Sequence, residues 1–217
     1  MTLQGKTALI TGASRGIGRA TALALAEAGA RIVVHYGKSA SEAESVVAGI
    51  CAQGGQAEAI GADLATPNGA NVLANEVRKI LGDRLDILVA NAGVSKRATL
   101  LDHTISDFDN LFATNVRGPF FLMQQLLPAL GQGSSVVVIS SLGARSVVGN
   151  PDLDKPSLLA YTATKGANRD SRQELGCASW PAWRSCECRC ARRHRNRHVE
   201  FHKNGSVPRD YGRHASP

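Results

Sequence analysis

Thr7-Ala-Leu-Ile-Thr-Gly-Ala-Ser-Arg-Gly-Ile-Gly-Arg-Ala-Thr-Ala-Leu-Ala-Leu-Ala-Glu-Ala-Gly29 decides the fold. Its first residues, 7–11, form a short apolar run of the kind found in a fully buried strand. A glycine turn follows, Thr11-Gly-Ala-Ser-Arg-Gly-Ile-Gly18, and then an alanine-rich helix over 16–28 that stops at Gly29. Glycine is needed where the chain reverses sharply and where backbone must approach a phosphate, and Gly12, Gly16 and Gly18 stand at those places. Free N–H groups at a helix start attract anions. Strand, turn and helix together therefore read as a phosphate cradle, with Thr11, Gly12, Ser14, Arg15, Gly16, Ile17 and Gly18 as candidate contacts.

The same alternation continues outward. Further apolar runs occupy 31–36, 56–62, 86–90 and 135–140. Ser39 with Glu42 forms a capping box for a helix ending at Gly54-Gly55, and Thr66-Pro67 opens a helix that reaches Leu81. Residues 106–130 read as one long helix. Continuous apolar strands separated by helices imply a parallel sheet covered on both faces through right-handed crossovers. The expected class is α/β, a doubly wound, three-layer Rossmann-type fold.

Composition bounds the rest. The chain has 217 residues, room for one sizeable domain, and 43% hydrophobic with 20% charged residues excludes wholesale disorder. No apolar stretch reaches the roughly 18 residues of a spanning helix, and the start MTLQGKTALITG lacks a signal-peptide layout, so a cytoplasmic protein is expected. The net charge of +7 is uneven: residues 1–167 hold 14 basic and 13 acidic side chains, whereas 168–217 hold 11 and 5. That last segment also carries four of the five cysteines, both tryptophans and only three Leu, Ile or Val residues. It lacks the means to bury much core. The expected division is a nucleotide-binding domain over 1–167 and an aberrant basic tail over 168–217.

Further motifs follow in order. Asn91-Ala-Gly93 ends the fourth strand, Asn115 lies in the long helix, Ser141 follows the fifth strand in Ile139-Ser140-Ser141, and Tyr161-Thr-Ala-Thr-Lys165 comes last. With the TGxxxGxG turn, this set resembles the short-chain dehydrogenase/reductase family over about residues 3–167, and looks most like bacterial 3-oxoacyl-carrier-protein reductases. The resemblance implies an oxidoreductase that moves hydride between a nicotinamide and a carbonyl or secondary alcohol. It also implies Tyr161 as proton donor and acceptor, Lys165 as holder of the nicotinamide ribose, Ser141 on the substrate oxygen, and Asn115 holding a relay water. Tyr161 and Lys165, four apart on a helix, share a face. A phenol by itself titrates near 10, and an ammonium one turn away favours its phenolate.

Cofactor choice has a physical basis. An acid at the end of the second strand would hold a ribose 2′-hydroxyl and repel a 2′-phosphate. Here the sequence is His35-Tyr-Gly-Lys-Ser39, and Arg15, Lys38 and Ser39 suit the phosphate. NADP(H) is expected over NAD(H), with Tyr36, Asp63 and Leu64 along the adenine side, Asn91, Ala92 and Gly93 further on, and Tyr161 and Lys165 at the nicotinamide. Expected partners are a small carbonyl or alcohol substrate, with no metal, nucleic acid or membrane. In relatives the helix after Tyr161 and the long helix form the dimer contact.

Beyond Ala167 the resemblance stops. Pro181 breaks any helix, and no buried strand follows, so the expected sheet lacks its last strands and most of the helix after Lys165. The genetic code offers a reason. Back-translated and read one nucleotide later, 185–205 permits RVNAVAPGVIETDMSNFTKT, and 168–184 permits an amphipathic helix beginning IETLVKSLAA. A reading-frame shift near codon 168 accounts for both. Two other readings stand beside it: a truncated, non-catalytic nucleotide-binding product, and a tail whose cysteines, histidines and arginines take zinc or nucleic acid.

Overall fold

The computed structural model describes residues 2–144 and 155–177, with side chains as far as Asn168. Among the described residues there are five strands: β1 (Thr7–Ile10), β2 (Arg31–Tyr36), β3 (Ala57–Gly61), β4 (Ile87–Ala90) and β5 (Ser135–Val138). They form one parallel sheet in the order β3-β2-β1-β4-β5. Helices α1 (Gly16–Glu27), α2 (Ala40–Ala52), α3 (Gly69–Leu81), α4 (Ile105–Phe112), α5 (Gly118–Leu126) and α6 (Leu159–Cys177) connect or flank the strands.

Alternate residues of each strand serve opposite faces. Leu9, Val33 and Leu88 join Leu73, Val77, Leu122 and Leu126 from α3 and α5. Ile10, Ile32, Val34 and Val89 join Ala22, Ala43, Val46 and Ile50 from α1 and α2. Both faces are thus covered, as the apolar runs demand, and the doubly wound fold is observed.

A buried carboxylate ties the bottom of the sheet together. Asp86 accepts from Lys6 Nζ at 2.9 Å, from Arg84 Nε at 3.0 Å and Nη2 at 2.9 Å, and from the Thr7 N–H at 3.1 Å. Burial pushes its carboxyl up, but the hydrogen bonds from Lys6, Arg84 and Thr7 outweigh this and hold it at about 2.

Several local expectations are corrected. Residues 106–130 are not one helix: α4 runs into a π-helical turn, Ala113–Arg117, before α5, and a 3-10 turn, Leu127–Ala129, ends the segment. Pro119 and Pro128 lack the N–H that an unbroken helix needs at those positions. Ser39 precedes α2 but makes no side-chain cap; the hydroxyl bound to Glu42 is that of Ser41. Thr66 does not cap α3, because its hydroxyl donates to the Asp63 carbonyl and the helix begins at Gly69. The helix after Lys165 persists in backbone to Cys177, since no proline occurs between Pro156 and Pro181. Residues 145–154 and 178–217, the second stretch holding most of the expected tail, lie outside the described residues.

Candidate active site

The strand order reverses at β1: β2 and β3 lie to one side, β4 and β5 to the other. A crevice opens at such a switch point, at the C-terminal ends of the strands. The glycine turn leaves β1 there, and Asn91-Ala-Gly93 leaves β4 beside it. Thr11 stitches the two together. Its buried hydroxyl oxygen accepts the N–H groups of Asn91 and Ala92, each at 2.9 Å. In return Asn91 Nδ2 donates to the carbonyls of Thr11 at 2.9 Å and Gly12 at 3.1 Å. The packing leaves no room for a β-carbon at two of the glycines. At Gly12 one would sit 2.9 Å from Ala92 Cα; at Gly18 it would fall on the Gly12 carbonyl oxygen and 2.5 Å from Asn91 Nδ2. Gly16 faces open space, and its need is conformational, with φ +58°.

A cleft of about 450 Å³ runs from this turn along the strand ends. Of the expected contacts it is lined by Gly12, Ser14, Arg15, Ile17, Lys38, Ser39, Asp63, Leu64, Asn91, Ala92 and Gly93. Thr11, Gly16, Gly18, Tyr36, Tyr161 and Lys165 are not on its wall. The first three build the turn, while the Tyr36 ring packs against Gly61, where an added β-carbon would meet it at 2.9 Å. His35, Gly37, Val94, Asn110 and Thr114 also line the cleft. Of these His35 lay within the strand pattern, and only its polarity in an otherwise apolar run marked it.

The second half of the site hangs on Asn115, which the π-turn carries inward. It is buried, and its side chain is fully engaged. Oδ1 accepts the Val94 N–H at 2.8 Å, while Nδ2 donates to the Val94 carbonyl at 2.8 Å and to Thr164 Oγ1 at 3.0 Å. Thr164 in turn donates to the Tyr161 carbonyl at 2.7 Å. Asn115 therefore fixes the first turns of α6 against the loop leaving β4. Lys165, one helical turn beyond Tyr161, is 4% exposed. Its Nζ donates to the Ile139 carbonyl at 2.9 Å and lies 5.7 Å from the centre of the Tyr161 ring. Burial pulls this ammonium below the usual lysine range. Ser140 Oγ donates to the Lys165 carbonyl at 3.1 Å, and Ser141 Oγ accepts the Gly143 N–H at 3.2 Å.

One glycine joins the halves. Gly93 lines the cleft, and a β-carbon there would come within 3.2 Å of Asn115 Oδ1 and 3.3 Å of Lys165 Nζ. The Tyr–Lys helix therefore abuts the cleft wall itself. The cleft fits a phosphorylated dinucleotide: its turn admits backbone where side chains cannot enter, α1 carries no acid in its first turn, and Arg15, Lys38 and Ser39 supply donors.

Comparison with known proteins places the chain in a class. Residues 6–178 match the family described as short chain dehydrogenase, and the chain belongs to that family. It is 41% identical over 165 residues to versicolorin reductase 1 of Aspergillus parasiticus, covering 76% of this chain and 60% of that protein. It is 35% identical over 164 residues to trihydroxynaphthalene reductase of Colletotrichum orbiculare, covering 76% and 56%. Among solved structures, a short chain dehydrogenase from Burkholderia cenocepacia in complex with NADP superposes with a TM-score of 0.77 at 40% identity, over 84% of this chain and 71% of that one. The chain spans about three fifths of the length of the curated relatives it matches. No helix among the described residues is long and apolar enough to cross a membrane.

Proposed function

We propose that residues 1–167 are an NADP(H)-binding oxidoreductase domain acting on a ketone or secondary alcohol. The closeness of Lys165 and Asn115 to Gly93, where an added β-carbon would meet both, carries this reading, because it puts a proton-handling helix at one end of a dinucleotide-sized cleft. Complexes of related proteins with NADP support the cofactor. Arg15, Lys38 and Ser39 hold the 2′-phosphate, the glycine turn the pyrophosphate, and Asp63 and Leu64 the adenine side. When bound, the reduced nicotinamide supplies the hydride.

The chain's own groups handle the proton. Tyr161 gives its hydroxyl proton to the substrate oxygen in reduction and recovers it in oxidation. Ser141, whose oxygen already accepts from Gly143, keeps its own hydrogen for the same substrate oxygen. Lys165 spends one hydrogen on Ile139 and offers the others to ribose and phenol. Asn115, with every side-chain atom engaged, positions this helix rather than reacting. Ile105, Phe108, Phe120, Phe121 and Leu159 are exposed on α4, α5 and α6, and we assign that face to a second copy.

From residue 168 the chain is read out of frame. The compatibility of 168–205 with a family helix, strand and proline-glycine segment supports this, as does the change of composition. The chain as written is thus expected to bind NADPH but to turn over slowly or not at all, and the frame-restored protein to be active. Purified protein in both forms, assayed by nicotinamide absorbance against 3-oxoacyl thioesters and polycyclic aromatic ketones, tests the reading. Tyr161→Phe in the restored protein should lower kcat at least 100-fold. Equal turnover by that variant sinks the catalytic assignment, and a single clean frame in independent DNA isolates sinks the shift.

A further inference from the structure

The proton chemistry above gives no work to His35, a titratable side chain only 2% exposed in the middle of the cleft wall. Its ring bridges two segments. Nδ1 lies 3.1 Å from the Gly12 N–H, and Nε2 lies 2.9 Å from the Ala62 carbonyl oxygen. A carbonyl only accepts, so Nε2 carries the hydrogen and Nδ1 keeps the lone pair that the Gly12 N–H requires. The His35 main chain adds a second hold, its carbonyl accepting the Ala13 N–H at 2.8 Å. Two successive N–H groups of the glycine turn are therefore consumed by one residue of β2.

We propose that His35 is a positioning residue of the dinucleotide site, its neutral imidazole fixing the glycine turn at a set distance from the Ala62-Asp63-Leu64 wall. This rests on the dinucleotide reading above. The turn approaches the phosphates through backbone, and backbone has no rotamer with which to correct a misplacement. Its position must come from what lies behind it, and His35 supplies a rigid spacer with an acceptor on one side and a donor on the other. Burial holds the ring neutral down to about 4, against smaller opposite pulls from the Ala62 carbonyl and the Asp63 carboxylate. Arg15 and Lys38, on the same cleft, are the charged groups of the neighbouring segments. A charged ring would turn an N–H toward the Gly12 N–H and break the bridge.

The test uses the full chain and NADPH fluorescence, with amide hydrogen exchange at Gly12 read in the absence of nucleotide. His35→Leu, which fills the space without an acceptor, should weaken NADPH binding at least tenfold and speed Gly12 exchange at least tenfold. His35→Asn, whose carbonyl can accept from Gly12, should recover binding to within about threefold of the parent. Unchanged binding and exchange in His35→Leu overturn the proposal, as does an Asn variant no better than Leu. Should Leu fail to fold, the Asn variant and a His35→Gln variant decide the matter, since tight binding with fast Gly12 exchange contradicts it. A parent chain that does not bind NADPH counts against the dinucleotide reading, and Gly12 exchange then decides the role of His35 alone.

Discussion

Asn168 Nδ2 donates to the backbone carbonyl of Asn115 at 2.7 Å, across a buried contact between α6 and the π-turn. In an unbroken α-helix that carbonyl would receive the N–H of residue 119, and Pro119 has none. The proline that frees the carbonyl also opens the turn that carries the Asn115 side chain to Val94 and Thr164. Asn168 thus completes a junction that sets the height of Tyr161 and Lys165 above the cleft.

Removing that donor takes a hydrogen bond from a buried carbonyl, at a cost of about 1–3 kcal/mol. Asn168→Val, similar in bulk but without the amide, is expected to lose this much in urea denaturation. A loss under about 0.5 kcal/mol would mean that water replaces the amide freely. The shifted frame proposed above permits isoleucine at 168, so under that proposal the same measurement shows what restoration gives up at this point.

The glycines of the turn are not equivalent. Gly18→Ala drives a methyl onto the Gly12 carbonyl and the Asn91 amide, neither of which can move without unpicking the stitch to β4. It should abolish NADPH binding and lower stability by more than about 2 kcal/mol. Gly16→Ala meets only the strain of a left-handed conformation, about 1–2 kcal/mol, with nothing within 4 Å. Binding should fall little. Calorimetry with nucleotide titration ranks the two, and the reverse order would contradict this account.

Charge at the end of β2 should set the choice between cofactors. Lys38→Glu replaces a cation suited to a 2′-phosphate by an anion that repels it and accepts from a 2′-hydroxyl. NADPH affinity is expected to fall about 10- to 100-fold with NADH affinity unchanged or improved, read by paired fluorescence titrations. A parallel fall in both would place Lys38 elsewhere than on the phosphate.

Much of this was legible in advance because the informative signals are local. Each of β1 to β5 is built round a short apolar run, interrupted by His35 in β2 and Glu58 in β3, and its length and flanking glycines or polar residues mark it as a buried parallel strand. The glycine turn is legible because Gly12 and Gly18 sit where any side chain collides with backbone. What escaped depends on contacts far apart in sequence. The interruption at 113–117 follows from one proline, yet apolar periodicity continues through it. The engagement of Asn115 needs Val94, 21 residues before, and Thr164, 49 residues after. His35 and Asp86 were single polar residues in or beside apolar runs, and nothing nearby announces that one bridges a turn to β3 and the other anchors β1 to β4. Capping boxes failed for the opposite reason: Ser39 with Glu42 matched the local pattern, but Ser39 lies on the cleft.

Asp86 gives the fold a pH dependence whose sign is fixed. Its carboxyl is held at about 2 against an ordinary 3.8, so the folded state favours the charged form. The stabilisation is complete above pH 4 and is lost as pH falls through about 2. The full shift corresponds to about 2.5 kcal/mol. Lys6 and Arg84 are 39% and 66% exposed, which screens the pairs and brings the expected value nearer 1 kcal/mol. Urea denaturation of the parent and Asp86→Asn at pH 6 and pH 2.5 isolates this contribution, since His35 titrates in both proteins and cancels in the difference. The stability gap between them should narrow by about 0.7 kcal/mol, since a carboxyl held at about 2 keeps part of its charge at pH 2.5. A gap independent of pH would show that the carboxylate holds β1 to β4 by hydrogen-bond geometry alone, with its charge contributing nothing.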